Sequence, residues 1–402
     1  MQKKRHIHPS DIRALARLAT DATVGLTDLV EAVHHTVTRL PGSAVVPAPV
    51  RTRGITGFVY RTVRGVARMA GGGIDMLLAQ LLPYLGEHDS SPQREAVLAA
   101  LNGVFGDHMA HTGNALAIPM RLRLNGQPLR LEREALRTAI PDAGGRILVL
   151  AHGLCMNDLQ WRRLGHDHGA ALARELGYTP LYLHYNSGLH VSANGRAFAD
   201  LLEKLVQEWP QPVEQLAIVG HSMGGLVARS ACHYGGAANH AWLKQLRKLA
   251  FLGTPHHGAP LERIGNWVHG MLQATRYVAP FARLGRVRSA GITDLRHGNL
   301  LDEDWSGRDR FARAPDARQP LPLPPGVQCY TIAATLGKTV GSLRDRMLGD
   351  GLVPLDSALG IHQHAERRLS FPPAQQWVAC ETGHMDLLSS PEVYARVRGW
   401  LT

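Results

Sequence analysis

Three residues of this chain, Ser222, Asp350 and His384, have side chains that could together perform nucleophilic chemistry. A serine hydroxyl is a weak nucleophile at neutral pH and needs an adjacent base. An imidazole can be that base. A carboxylate then fixes its tautomer and stabilises the imidazolium that forms. Ser222 stands in Gly220-His-Ser-Met-Gly224. The short apolar run Leu216 to Val219 before it reads as a buried strand. Gly225 to Cys232 after it has small residues at helical spacing. Strand, sharp turn and helix is the setting that G-x-S-x-G needs. The flanking glycines allow close packing at a strained turn. A bland reading exists, a glycine-rich βα turn in any doubly wound protein. The partners of Ser222 weigh against it.

His384 follows the last expected strand, with Thr382-Gly383 forming its loop. Active groups of open α/β sheets lie at such strand ends. Among 22 histidines the usual role is surface or packing, and His362, His364, His233 and His240 are less well placed. Asp350 lies between Gly349 and Gly351 after another expected strand. Its rivals are Asp356 and Asp345. Asp386 lies near His384 but after it in the chain. An oxyanion needs two preorganised N–H donors. Met223, next to the nucleophile, supplies one, and the loop after strand 147–150 supplies the other.

These residues require a sheet to position them. Apolar runs at 147–150, 180–185, 216–219, 249–252, 327–333 and 376–379 read as strands. Helical patterns fall near 158–176, 193–209, 224–234 and 391–401. Ser91-Pro92 opens another helix that runs to about Asn102. Asn125-Gly126 sits between alternating segments, 118–124 and 129–131, and signals a hairpin. A hairpin leading into βαβ repeats implies a mostly parallel sheet with helices on both faces.

At this point the chain resembles the α/β-hydrolase superfamily, and within it bacterial lipases and esterases related to the PGAP1-like group. The resemblance covers roughly residues 115–402. It rests on His152-Gly-Leu154, on Gly220 to Gly224, and on Gly253-Thr-Pro-His-His-Gly-Ala259. It rests also on Asp350-Gly-Leu-Val-Pro354 and Gly383-His384. The resemblance implies an α/β-hydrolase fold and a serine carboxylic-ester hydrolase. It implies Ser222, Asp350 and His384 as catalytic residues, with Leu154 and Met223 as oxyanion donors. Cys155 rivals Leu154 by one position. Residues 259–325 are too long for a simple βα connection and read as an inserted cap or lid. An ordinary structural insertion is the plain alternative. The expected division is a helical extension over 1–112 and a hydrolase domain over 113–402. An acyltransferase on the same triad is the nearest alternative. Polyhydroxyalkanoate synthases resemble this fold but carry Cys where this chain has Ser222. A non-enzymatic lipid-surface protein is a second alternative.

The chain carries a formal charge of +11 over 402 residues. More than half of that excess falls in the first 86 residues. No Asp or Glu occurs between Glu31 and Asp75. On a helix over 53–70, Arg61, Arg64 and Arg68 would oppose Ile55, Val59, Val66 and Met69. Residues 10–40 read as another helix. Either a packed helical layer or a peripheral contact with an anionic membrane would use these faces. No nucleic-acid-binding signature is present. The start of the chain lacks the apolar core of a signal peptide. Cys155, Cys232, Cys329 and Cys380 show no metal or disulfide spacing. The expectation is a cytoplasmic protein with reduced cysteines, an acyl-ester or lipid substrate, and no required cofactor or metal.

Overall fold

In the computed structural model the described residues are 14, 92–260, 263–265, 289–308, 316, 318–340 and 343–402. The expected N-terminal helices, their arginines and about half of the expected cap, chiefly 266–288, lie outside them. The chain forms two compact units. One comprises Met1–Arg94 with Met109–Ala117, the other Glu95–His108 with Ile118–Thr402. In the first unit the Asn114 side chain donates to the Ala14 carbonyl at 3.1 Å and accepts from the Leu116 N–H at 3.0 Å.

The second unit is built on eight strands: β1 (Arg121–Leu124), β2 (Gln127–Pro128), β3 (Arg146–Ala151), β4 (Thr179–His184), β5 (Gln215–His221), β6 (Leu246–Leu252), β7 (Gln328–Ala334) and β8 (Gln376–Ala379). Their order across the sheet is β2-β1-β4-β3-β5-β6-β7-β8. β1 pairs antiparallel with β2 and β4, and all later pairs are parallel. The helices are α1 (Pro92–His111), α2 (Arg133–Ala139), α3 (His168–Leu176), α4 (Val191–Glu208), α5 (Met223–Ala237), α6 (Ala290–His297), α7 (Leu343–Leu348), α8 (Leu355–Ala358) and α9 (Pro391–Leu401). This is the α/β-hydrolase arrangement.

Strands β3 to β7 are apolar at nearly every position because both faces are covered. Alternate residues separate the two cores. Leu148, Leu150, Ala217, Val219, Ala250 and Leu252 pack with Leu172 of α3 and with Val393, Val397 and Leu401 of α9. The intervening Ile147, Val149, Leu216, Ile218, Leu249 and Phe251 are also fully buried. On that face α4 crosses α5 closely, because Gly195 lies directly against Ser230. Among the described residues no helix is long and apolar enough to cross a membrane.

Local details differ from the sequence expectation at three places. α3 begins at His168, not near 158, because Asp167 caps it by accepting from the Ala170 N–H at 3.0 Å. Residues Asp158–Trp161 form a separate 3₁₀ turn capped by Asn157. The strand after Asn125-Gly126 is only Gln127–Pro128, with one further backbone bond beyond it, from the Leu129 N–H to the Leu122 carbonyl at 2.9 Å. α1 continues well beyond Asn102. Gly103 and Gly106 do not end it; they let it approach Cys155 and Asn186.

Candidate active site

The nucleophile turn follows from the residues at 220 to 225. β5 ends at His221 and α5 begins at Met223, so Ser222 alone makes the turn. Its φ is 53° and its ψ is −124°, a region that side-chain-bearing residues avoid. Holding it there costs on the order of 1–3 kcal/mol. The neighbours over-determine it. The Ser222 N–H donates to the Leu252 carbonyl at 2.8 Å. A Cβ on Gly220 would stand 2.6 Å from the Gly225 Cα, and one on Gly224 would stand 2.7 Å from the His152 carbonyl oxygen. Gly224→Ala therefore forces α5 off β3. We expect it to lower stability by about 1–3 kcal/mol in chemical denaturation, whereas a surface Gly399→Ala change should leave the midpoint near wild type.

His384 and Asp350 are joined twice. The His384 N–H donates to the Asp350 carbonyl at 3.0 Å, and His384 Nδ1 lies 2.7 Å from Asp350 Oδ2. The other carboxylate oxygen, Oδ1, accepts from the N–H groups of Leu352 at 3.0 Å and Val353 at 2.8 Å. Gly349 and Gly351 have φ of 54° and 94°, which lets the chain fold back around the acid. His384 Nε2 is buried and among the described residues has no hydrogen-bond partner. Such a nitrogen is the one that a triad directs at the nucleophile. Ser222 belongs to the same neighbourhood. Its N–H holds Leu252, and the next residue, Gly253, touches both partners. A Cβ there would stand 3.1 Å from Asp350 Oδ2 and 3.2 Å from His384 Cε1.

The candidate oxyanion side lies at the ends of β3 and β5, supported by residues after β4. The Met223 N–H is the first of α5 and has no helical carbonyl to bond. Leu154 is 1% exposed, and Gly153 beside it lies against Ser222, where a Cβ would be 3.0 Å from the Ser222 Cβ. Among the described residues the Leu154 N–H has no acceptor. The rival Cys155 N–H is committed to Ser187 Oγ at 3.0 Å. The structure thus leaves Leu154 and Met223 available and Cys155 occupied. The loop is held from below by Tyr185, whose hydroxyl donates to the His152 carbonyl at 2.7 Å.

The other sequence candidates lie elsewhere. Asp356 forms a surface ion pair with Arg346 at 2.8 Å. Asp386 accepts from the Gly383 N–H at 3.1 Å and stands 3.8 Å from Arg163. His362 and His364 stack near Asp316, His240 faces Asp200, and His233 packs on Tyr234. The side chain of Asp345 lies outside the described residues.

Sequence reasoning missed two supports. Ser187 anchors the oxyanion loop, and His221 Nε2 lies 3.1 Å from the His384 carbonyl. The polar run Asn186-Ser-Gly188 at the C-terminal end of β4 was the available signal for the first. His221 carried no signal beyond membership of the motif.

Four buried histidines, His152, His168, His221 and His256, and the half-buried His257 lie in this unit. Burial pushes His152 down to about 3 and His168 and His257 to about 4. Burial likewise holds His221 and His256 well below the usual histidine range. All are neutral when folded at neutral pH, whereas the unfolded chain takes up protons near pH 6.5. Their contribution to stability is therefore complete above that value and is lost as pH falls. Each contributes a slope of about 1.4 kcal/mol per pH unit until its folded value is reached. Urea midpoints should fall steeply between about pH 6.5 and about pH 5. A flat profile would contradict neutral burial.

Residues 142–319 match the PGAP1-like alpha/beta domain. The matched segment carries β3 to β6, Ser222, Leu154 and Met223. Asp350 and His384 lie beyond its end, and the structure returns them to the PGAP1-like segment through β7 and β8. Among solved structures the chain is similar to the mature lipase of Bacillus licheniformis. That likeness has 18% identity and a TM-score of 0.42, over 64% of this chain and 92% of the lipase. A phospholipase of Legionella pneumophila gives 17% identity and a TM-score of 0.40, over 65% of this chain and 60% of that one. A lipase of Aspergillus fumigatus gives 12% and 0.37, over 67% and 56%. These likenesses are too distant to transfer a substrate. No curated protein matches the chain. Among the described residues no group of three or more His, Cys, Asp and Glu side chains is placed to hold a metal ion.

Proposed function

We propose that this chain is a serine-dependent carboxylic-ester hydrolase working through an acyl-enzyme. The observation that carries the reading is the buried His384–Asp350 pair, 2.7 Å apart, with Nε2 left free in the neighbourhood of a strained serine. Ser222 Oγ attacks the acyl carbonyl while His384 Nε2 takes its proton. Asp350 stabilises the imidazolium. The N–H groups of Leu154 and Met223 receive the oxyanion. The imidazolium protonates the departing alcohol as the ester C–O bond breaks. Water then attacks the acyl-enzyme, giving one proton to Nε2, and that proton returns to Ser222 Oγ as the acid leaves.

A panel of p-nitrophenyl esters of graded acyl length tests the reading, with an alcohol acceptor added in parallel. Release of free acid at a rate independent of the alcohol is expected. Exclusive formation of a new ester would replace hydrolysis by acyl transfer. A lipid-ester substrate belongs to the same proposal. The run of Arg51, Arg53, Arg61, Arg64 and Arg68, with no acidic residue between Glu31 and Asp75, would draw the chain to anionic lipid by about 1 kcal/mol per charge at low salt. Replacing Arg61, Arg64 and Arg68 by Gln should weaken salt-sensitive sedimentation with anionic vesicles. It should spare hydrolysis of a short soluble ester. Equal sedimentation of the two proteins would remove the lipid-surface part of the proposal.

A further inference from the structure

Two loops of the site meet at one side chain that takes no part in the proton transfers. His221 ends β5, immediately before Ser222, and its ring is fully buried. On one side its Nε2 lies 3.1 Å from the His384 carbonyl oxygen. On the other its Nδ1 faces Gly153, where a Cβ would stand 3.3 Å from that nitrogen. The centroids of the His221 and His384 rings are 4.7 Å apart, and the rings are tilted by 43°.

The contact with residue 384 fixes a tautomer. A carbonyl oxygen only accepts, so His221 Nε2 carries the ring proton and donates it. Nδ1 is then a bare acceptor, and among the described residues it has no donor. Burial, and after it repulsion from His384, hold the ring well below the usual histidine range. His152 and His168, the other titratable groups acting on it, push in the same direction. His221 therefore stays neutral beside an imidazole that has to become charged.

Residue 384 is consequently held at both of its main-chain polar groups. Its N–H donates to the Asp350 carbonyl at 3.0 Å, and its carbonyl accepts from His221. The far end of the same loop is held separately. His168 Nε2 lies 2.9 Å from the Leu387 carbonyl oxygen, and His168 Nδ1 lies 2.7 Å from His166 Nε2. Loss of the His221 bond would thus free the carbonyl at 384 without releasing the loop.

We propose that His221 is a positioning residue whose ring sets the spacing between the Gly153–Leu154 loop and the Gly383–His384 loop. The proposal rests on the ester-hydrolase reading of Ser222 and His384. A planar ring is a stiff spacer, and Ser222 follows it directly in the chain. Nucleophile, oxyanion donor and base are thereby referenced to one side chain. A misplacement of about 1 Å between such groups can cost about 10²-fold in rate.

The test has two arms. His221→Gln keeps a side-chain N–H that can reach the 384 carbonyl, whereas His221→Leu keeps bulk and removes the donor. On a short p-nitrophenyl ester, His221→Leu should lower kcat by about 10- to 100-fold with KM near wild type. His221→Gln should recover most of that loss. Equal kcat in the two variants, or a change in KM alone, would overturn the proposal. The second arm needs neither turnover nor a folded variant. In wild type labelled with isotopic histidine, NMR should find His221 protonated on Nε2, bare on Nδ1, and not titrating between about pH 5 and pH 8. A titrating ring or the opposite tautomer would overturn the proposal even in an active enzyme. A wild type that hydrolyses no ester and takes no fluorophosphonate at Ser222 would instead remove the hydrolase reading, and the tautomer would then decide the His221 tie alone.

Discussion

Ser222→Ala should lower kcat for ester hydrolysis by about 10⁶-fold, the size of loss seen when a triad serine is removed. The reason is local. Only one oxygen is deleted, and the Ser222 N–H bond to Leu252 at 2.8 Å is unchanged. The residual rate would come from the Leu154 and Met223 donors alone. A fluorophosphonate probe should label wild type at Ser222 and fail to label the variant. Labelling of both at one rate would remove Ser222 from the mechanism. The backbone adds a second, opposite expectation. Ser222 sits at φ 53°, so Ser222→Gly should relieve strain while being equally inactive. Its thermal midpoint should exceed that of wild type, since relief of such strain is worth about 1–3 kcal/mol. A serine retained for packing would show no such exchange of stability for activity.

Asp350→Asn should lower kcat by about 10⁴-fold, the loss seen for the same change in a serine-protease triad. The geometry explains why a near-isosteric change is so costly. Oδ1 accepts from Leu352 and Val353 N–H groups, so an amide at 350 must keep its oxygen there. Its NH₂ group then faces His384 Nδ1, which has to accept. The ring proton moves to Nε2, where a free lone pair is needed to take the serine proton. Asp356→Asn removes only a half-exposed pair with Arg346, worth about 0–1 kcal/mol, and should leave kcat near wild type. Steady-state kinetics on the two variants settles the acid. A crippled Asp356→Asn with an active Asp350→Asn would reverse the assignment.

Much of this site could be read from the sequence because its parts carry local signals. The strands around it are short apolar runs, since a parallel sheet is covered on both faces. Ser222 announces itself through the glycines that its turn requires. Asp350 does so through two glycines at positive φ. What the sequence hid depends on register between distant strands. The two-fold junction of His384 with Asp350 comes from β7 and β8 lying side by side. The choice of Leu154 over Cys155 rests on Ser187, one strand away across the sheet. The helix from Pro92 is expected from the sequence to end near Asn102 and continues to His111; Gly103 and Gly106 lie against Cys155 and Asn186, contacts distant in sequence.

The burial of Cys155 reaches beyond packing. It sits beside the oxyanion donor Leu154 at φ 58°, and burial pushes its thiol up to about 12. A thiol so protonated scarcely alkylates, because the thiolate is the reacting form. Cys155 can be alkylated only when it becomes exposed, so its modification rate is a clock for local opening around it. Cys380, half-buried, would react first and serve as the internal standard. Occupancy of the acyl site should then slow the clock at Cys155 and leave the standard unchanged. The chain thereby carries a native spectator for the timing of its own site, without any introduced label.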